Sequence, residues 1–228
     1  MAIGRIVRVA VIDSGVHAAH PHIGGVAGGI GIDDHGVAHP DYVDRLGHGT
    51  AVTAAIREKA STADILAIKV FDRELSATGT ALVAACEYAL EHHAEIVNLS
   101  LGTTHVDHEA ALRDVVQRLT ATGAMVIAAG PQDGRRWLPG SLDGAWGVTL
   151  DWSVPRERCH LDRLSAGGAI FRATGLPRPI PGVPPERNLR GLSFAVANVT
   201  GIVAAIGASA ADGSTRQAVV RAFERGLL

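Results

Sequence analysis

Near-continuous apolar runs alternate along this chain with stretches of helical character, and that alternation restricts the fold more than any other feature. Residues 6–12 read as a first buried strand and 63–70 as another. Residues 80–91 read as helix, 95–100 as strand, 109–120 as helix and 124–129 as strand, with 147–151 adding one more. Runs of Val, Ile, Leu and Ala without polar alternation mark strands buried on both faces. Strands that alternate with helices place such runs in a parallel sheet covered on both sides. Residues 193–206 are apolar nearly all round, which in a helix means burial on every side, and 214–225 read as a closing surface helix. Residues 24–44, rich in Gly, His and Asp, and 174–188, with five prolines, read as loops. The expectation is an α/β chain, a single domain over residues 1–228, with a mostly parallel central sheet and helices on both faces.

The balance of 21 Lys plus Arg against 23 Asp plus Glu offers no basic face for nucleic acid. An apolar content of 47% excludes extended disorder. No uninterrupted apolar run approaches the roughly 18–20 residues that span a bilayer, so no membrane partner is expected. Two cysteines, Cys86 and Cys159, make no disulfide framework and suit a reducing compartment. The apolar run near the start is broken by Arg8 and lacks a small-residue cleavage pattern. A cytoplasmic location is the resulting expectation.

Ligands and reactions in open parallel sheets collect beyond the carboxyl ends of the strands. Asp13 stands there, directly after Val9-Ala10-Val11-Ile12. On its own it reads first as an Asp that caps a turn. His48 lies between two glycines in Gly47-His48-Gly49-Thr50, ahead of a helical stretch. Ser193, in Gly191-Leu192-Ser193, enters the apolar helix, where a serine is ordinarily an N-cap. The same position offers free backbone N–H groups and the positive end of a helix dipole. A serine hydroxyl becomes a nucleophile only beside a base, and that base needs a third group to hold its tautomer. An acid, an imidazole and a hydroxyl in the order Asp13, His48, Ser193 meet that requirement together.

Carried by that order, and by the segments Val11-Ile12-Asp13-Ser14-Gly15, Gly47-His48-Gly49-Thr50, Asn98-Leu99-Ser100-Leu101-Gly102, Ile127-Ala128-Ala129-Gly130 and Gly191-Leu192-Ser193, the chain resembles the subtilisin-like serine peptidases, as a short and divergent member. The resemblance implies a subtilisin-like three-layer fold and a serine endopeptidase needing no cofactor. Ser193 would attack a peptide carbonyl, His48 would take and return the proton, and Asp13 would orient the imidazole. Ser100, Leu101 and Gly102 would form one substrate-binding edge, and Leu75, Ser76, Ala77 and Thr78 the other. An extended peptide or protein segment between two such edges binds by β-augmentation.

Several positions depart from the family pattern. The asparagine expected after Ala-Ala-Gly, whose amide donates to the oxyanion, is Pro131, which has no donor. The backbone N–H of Ser193 would remain, and Gln132 could supply a replacement amide. Leu192, Phe194, Ala197-Asn198 and Ala51 are further departures, all compatible with apolar packing. Only a brief connection joins Ile56 to Ala63, where many secreted relatives insert a calcium-binding loop. No stretch long enough for an inhibitory prodomain precedes Asp13, so unaided folding is expected. A dedicated processing peptidase follows as the leading expectation. The alternatives are an acyl-enzyme transpeptidase or macrocyclase of peptide biosynthesis, and a catalytically weak peptide-binding pseudo-peptidase. His17, His20, His22, His35 and His39, with Asp33, Asp34 and Asp41, could in principle ligate a transition metal. The absence of a tight ligand pair makes a solvated loop beside the cleft the expectation, with no metal.

Overall fold

The computed structural model describes residues 5–165 and 168–226. In chain order its main elements are β1 (Arg8–Asp13), β2 (Gly28–Ile32), β3 (Ala38–His39), α1 (His48–Lys59), β4 (Asp64–Lys69), α2 (Gly79–Glu91) and β5 (Ile96–Leu99). They continue with α3 (Glu109–Ala121), β6 (Met125–Ala129), β7 (Trp146–Leu150), β8 (His160–Ser165), β9 (Gly168–Ala173), α4 (Leu192–Ser209) and α5 (Thr215–Glu224). All these strands join one sheet in the order β3-β2-β4-β1-β5-β6-β7-β9-β8. The pairs from β2 through β9 are parallel, and only the two edge pairs, β2 with β3 and β8 with β9, are antiparallel.

The pleat sends successive side chains to opposite faces, and both faces are covered. Val9 and Val11 of β1, Ile96 of β5 and Ile127 of β6 join a core with α1, α4 and α5, through residues such as Ile56, Val199 and Val219. Their neighbours Ala10, Ile12, Val97 and Ala128 join the opposite core with α2 and α3, through Cys86, Leu112 and Val116. That is why the interiors of these strands carry apolar residues without polar alternation, Asn98 of β5 excepted.

Two expectations from sequence need correction here. Residues 24–44 are not all loop, because β2 and β3 lie within them and extend the sheet past β4. The strands β8 and β9, absent from the sequence reading, close the other edge with a bulge between Leu161 and Arg163. One helix is nevertheless long and apolar enough to span a bilayer. Helix α4, with a mean hydropathy of 1.7 over 18 residues, meets that length and composition, although 61% of it is buried in this fold. Its Gly, Asn and Thr residues interrupt the run without lowering the mean enough.

The sheet order puts β4 on one side of β1 and β5 on the other. The chain therefore changes direction across the sheet between β1 and β5, and a crevice opens at their carboxyl ends. Asp13 ends β1, and Ser100 follows β5 beside it.

Candidate active site

Asp13 is fully buried, and its Oδ1 accepts both the His48 Nδ1–H and the Ser14 backbone N–H, each at 2.7 Å. A carboxylate can only accept, so Nδ1 carries the proton and Nε2 is left with its lone pair toward the cleft. Burial of the imidazole opposes its charged form. The hydrogen bond to Asp13 and the charges of Asp13 and Asp44 outweigh that penalty, and the His48 pKa is raised above its ordinary 6.5. Phe194 backs the ring, with centroids 5.8 Å apart.

His48 reaches Asp13 because α1 starts almost on top of the end of β1. A Cβ at Gly49 would lie 2.2 Å from the Gly15 carbonyl oxygen and 3.1 Å from Asp13 Oδ1. The obstacle is backbone and cannot rotate away. Gly49→Ala is expected to cost roughly 1–3 kcal/mol, read as a lower urea midpoint at unchanged slope, and to move His48 off Asp13.

Ser193 lies in the first turn of α4, beside the end of β5. Thr200 Oγ1 donates to Asn98 Oδ1 at 2.9 Å, Asn98 Nδ2 to Ser100 Oγ at 3.0 Å, and Ser100 Oγ to the Ser193 carbonyl at 3.0 Å. This buried chain fixes the start of α4 against β5. The Ser193 hydroxyl donates to the Ser100 carbonyl at 2.9 Å, and no hydrogen bond joins it to His48. The expected line of three hydrogen-bonded groups is thus formed on the Asp13–His48 side and open on the other. His48 and Ser193 nevertheless face one cleft of about 620 Å³.

That cleft is also lined by Leu75, Ser76, Ala77 and Thr78 on one side and Ser100, Leu101 and Gly102 on the other. All seven expected substrate-edge residues come together around the catalytic candidates. Thr78 has a structural task as well, accepting the Ala81 N–H as the N-cap of α2 and donating to the Asp34 carbonyl. Trp137, His105 and His108 also line it and were missed from sequence. Trp137 sits in a loop whose place is set by pairing of Thr103 with Leu138, which no local pattern announces.

The oxyanion expectation meets a different arrangement. Pro131 is exposed after β6. Gln132 Oε1 accepts the Leu150 N–H at 3.1 Å, and its Nε2 donates to Asp133 at 3.3 Å. Both ends of the candidate replacement are engaged elsewhere, and it is not among the described residues lining the cleft. The departures near Ser193 have packing explanations. Phe194 and Ala197 are core residues, and Asn198 donates to the Thr174 and Leu176 carbonyls while accepting from Lys59. Of the histidine-rich segment, His17, His20 and His22 gather their rings, at centroid distances of 6.4 and 5.1 Å along the series. Among the described residues no three such groups converge closely enough to hold a metal ion.

The family model for subtilases, peptidase family S8, matches residues 4–150. The chain belongs to the subtilase family. The match includes Asp13 and His48 and stops short of Ser193. Its curated relatives include a thermostable alkaline protease of Halalkalibacterium halodurans, 32% identical over an alignment of 156 residues, with 64% of this chain and 41% of that protein covered. Subtilisin DY of Bacillus licheniformis is 31% identical over 58% of this chain and 49% of its own length. This subtilase spans less than half the length of these relatives. Solved structures of similar fold include sphericase, with a TM-score of 0.70 and 22% identity over 97% of this chain and 83% of that one. A lanthipeptide protease superposes with a TM-score of 0.69 at 18% identity, covering 93% and 77% respectively. The subtilisin-like α/β fold extends through the region that carries Ser193.

Proposed function

We propose that this subtilase is a serine endopeptidase that cleaves an extended peptide through an acyl-enzyme on Ser193, with His48 as general base and Asp13 orienting it. The observation that carries the proposal is the Asp13–His48 hydrogen bond opening onto a cleft that Ser193 shares. Substrate would lie between residues 75–78 and 100–102, exchanging main-chain hydrogen bonds with both edges. A substrate N–H arriving at the Ser100 carbonyl would compete with the Ser193 hydroxyl for that acceptor. Rotation about the Cα–Cβ bond of Ser193 would then turn the hydroxyl toward His48 Nε2, so the nucleophile would be engaged only with substrate present.

Attack on the carbonyl carbon would form the C–O bond as the proton passes to Nε2. Collapse of the tetrahedral species would return that proton to the leaving amine, and water would repeat the sequence to release the acid. The Ser193 backbone N–H, free at the positive end of α4, would hold the oxyanion. A single donor there favours slow, selective turnover, which suits a processing peptidase. The fold shared with a lanthipeptide protease is compatible with that role. Two free, buried cysteines, whose thiols burial pushes up to about 12, are consistent with a cytoplasmic setting.

A fluorophosphonate probe followed by peptide mapping tests the reading. The expected result is a single adduct on Ser193 in the folded protein. A peptide-binding pseudo-peptidase is the second reading, favoured by Pro131 and the turned-away hydroxyl, and it gives peptide binding with no adduct.

A further inference from the structure

A second hollow of about 790 Å³ lies against the first turns of α1, the helix that His48 begins. Gly47 and Ala51, just before and one turn after His48, form part of its wall, as does Leu189 upstream of Ser193. If the acyl half of a substrate lies along 75–78 and 100–102, the departing amine must leave past His48, the group that protonates it. This hollow, bordering the start of α1, would then be within reach of the leaving half of the chain.

Its chemistry is one-sided. Arg178 and Arg187 line it, together with His17, His20 and His22. Among the described residues no carboxylate lies within ion-pair distance of either arginine; Arg178 donates only to the His22 carbonyl, at 3.5 Å. His20 Nδ1 accepts the His22 backbone N–H at 3.2 Å, which leaves its Nε2–H as a donor. Asp44 is the one acidic residue among the described residues of the lining, and it is already saturated. Its Oδ1 accepts from Ser14 Oγ and from the backbone N–H groups of Leu46 and Gly47, and its Oδ2 accepts twice from Thr50. Glu58, close enough to be felt electrostatically at His22, is held by Lys59 and Arg156. Around these donors stand exposed apolar side chains, Val43, Ile180, Val183 and Leu189.

We propose that this hollow receives the leaving side of the peptide and recognises a carboxylate on it, flanked by an apolar residue. The proposal rests on the peptidase reading for its orientation. Two unpaired guanidinium groups can each fork onto a carboxylate, and the apolar rim would remove neighbouring side chains from water. The carboxylate could belong to an Asp or Glu side chain or to the peptide's own C-terminus.

The test is digestion of a pooled decapeptide library, made both as free acids and as C-terminal amides, with product masses locating each cleaved bond. Peptides with a carboxylate within three residues after the bond should be cleaved about tenfold or more faster than their lysine counterparts, the size expected for hydrogen bonds to a charged group. The double variant Arg178→Gln/Arg187→Gln should abolish that ratio, and the double lysine variant should retain part of it. Enrichment of free acids and amides alike assigns the carboxylate to side chains; enrichment of free acids alone assigns it to the C-terminus. No enrichment, or enrichment that survives the glutamine double variant, overturns the proposal. The same library captured on immobilised Ser193→Ala protein separates the two readings. Carboxylate enrichment there, with no fluorophosphonate adduct on the unmodified protein, keeps the anion site and removes the peptidase.

Discussion

Asp13→Asn is expected to lower the rate of peptide-bond hydrolysis by about 10⁴ with little change in KM, the effect of losing the acid from such a triad. The loss would come from charge and tautomer rather than shape. In the wild-type chain the carboxylate takes the Nδ1–H of His48 and the Ser14 N–H on one oxygen. A neutral amide can keep the same outline but could not stabilise the imidazolium that, on the proposed mechanism, would form as Ser193 loses its proton. Its NH2 group would replace Asp13 Oδ2, which is buried with no partner among the described residues, and two unsatisfied donors there would cost about 1–3 kcal/mol. Turning the amide over to present NH2 to His48 would favour the wrong tautomer, with the proton on Nε2, and silence the base.

A pH profile separates this from simple misfolding. The His48 pKa is raised in the folded protein, so the acid limb of kcat/KM should lie above pH 6.5 in the wild type. With Asp13 neutral, burial of the ring is left to dominate, and the limb should move down. Stability follows the same linkage. A raised histidine pKa stabilises the fold fully below 6.5, and that contribution disappears as pH rises through the folded value. The Asp13→Asn variant should lack this component.

Much of this site was legible because its parts are local. A buried strand that stops at an acid, an imidazole between two glycines and a serine entering an apolar helix each leave a mark on a few adjacent residues. The central strands were legible for a similar reason, since burial on both faces enforces uninterrupted apolar runs. Strand β2, Gly-Gly-Ile-Gly-Ile, was not. A Cβ at Gly31 would meet the His39 ring at 2.1 Å and the Asp41 carbonyl oxygen at 2.3 Å, so the strand needs glycine to let the returning segment cross it. Glycine in sequence reads as loop, and only the tertiary contact reveals the strand. The direction of the Ser193 hydroxyl was hidden too, because it depends on a carbonyl at Ser100, 93 residues earlier. The arginines of the second hollow lie in a proline-rich stretch with no periodic pattern to assign them a face. The sequence around Gln132 suggested an available amide; the Leu150 N–H, at the end of a neighbouring strand, anchors its Oε1, and Asp133 takes its Nε2.

That engagement makes the oxyanion site the place where a substitution should raise activity. Pro131→Asn is expected to increase kcat by about 10², the lower end of the established cost of losing one such donor in a subtilisin. Pro131 is exposed, follows β6 and Gly130, and offers neither an N–H nor a side-chain donor. Asparagine would restore both groups without displacing core atoms. The effect should fall on kcat, because an amide placed for the tetrahedral oxygen is too far from the planar ground-state carbonyl to bind substrate more tightly. Gln132→Ala supplies the contrast. Its amide is spent on Leu150 and Asp133, so the change should leave kcat within about threefold while removing a surface hydrogen bond worth roughly 1 kcal/mol. If instead Gln132→Ala lowered kcat a hundredfold and Pro131→Asn did nothing, the glutamine would have to swing into the hole when substrate binds. Stopped-flow acylation of the two variants, compared at saturating peptide, decides between a single-donor site and one completed by motion.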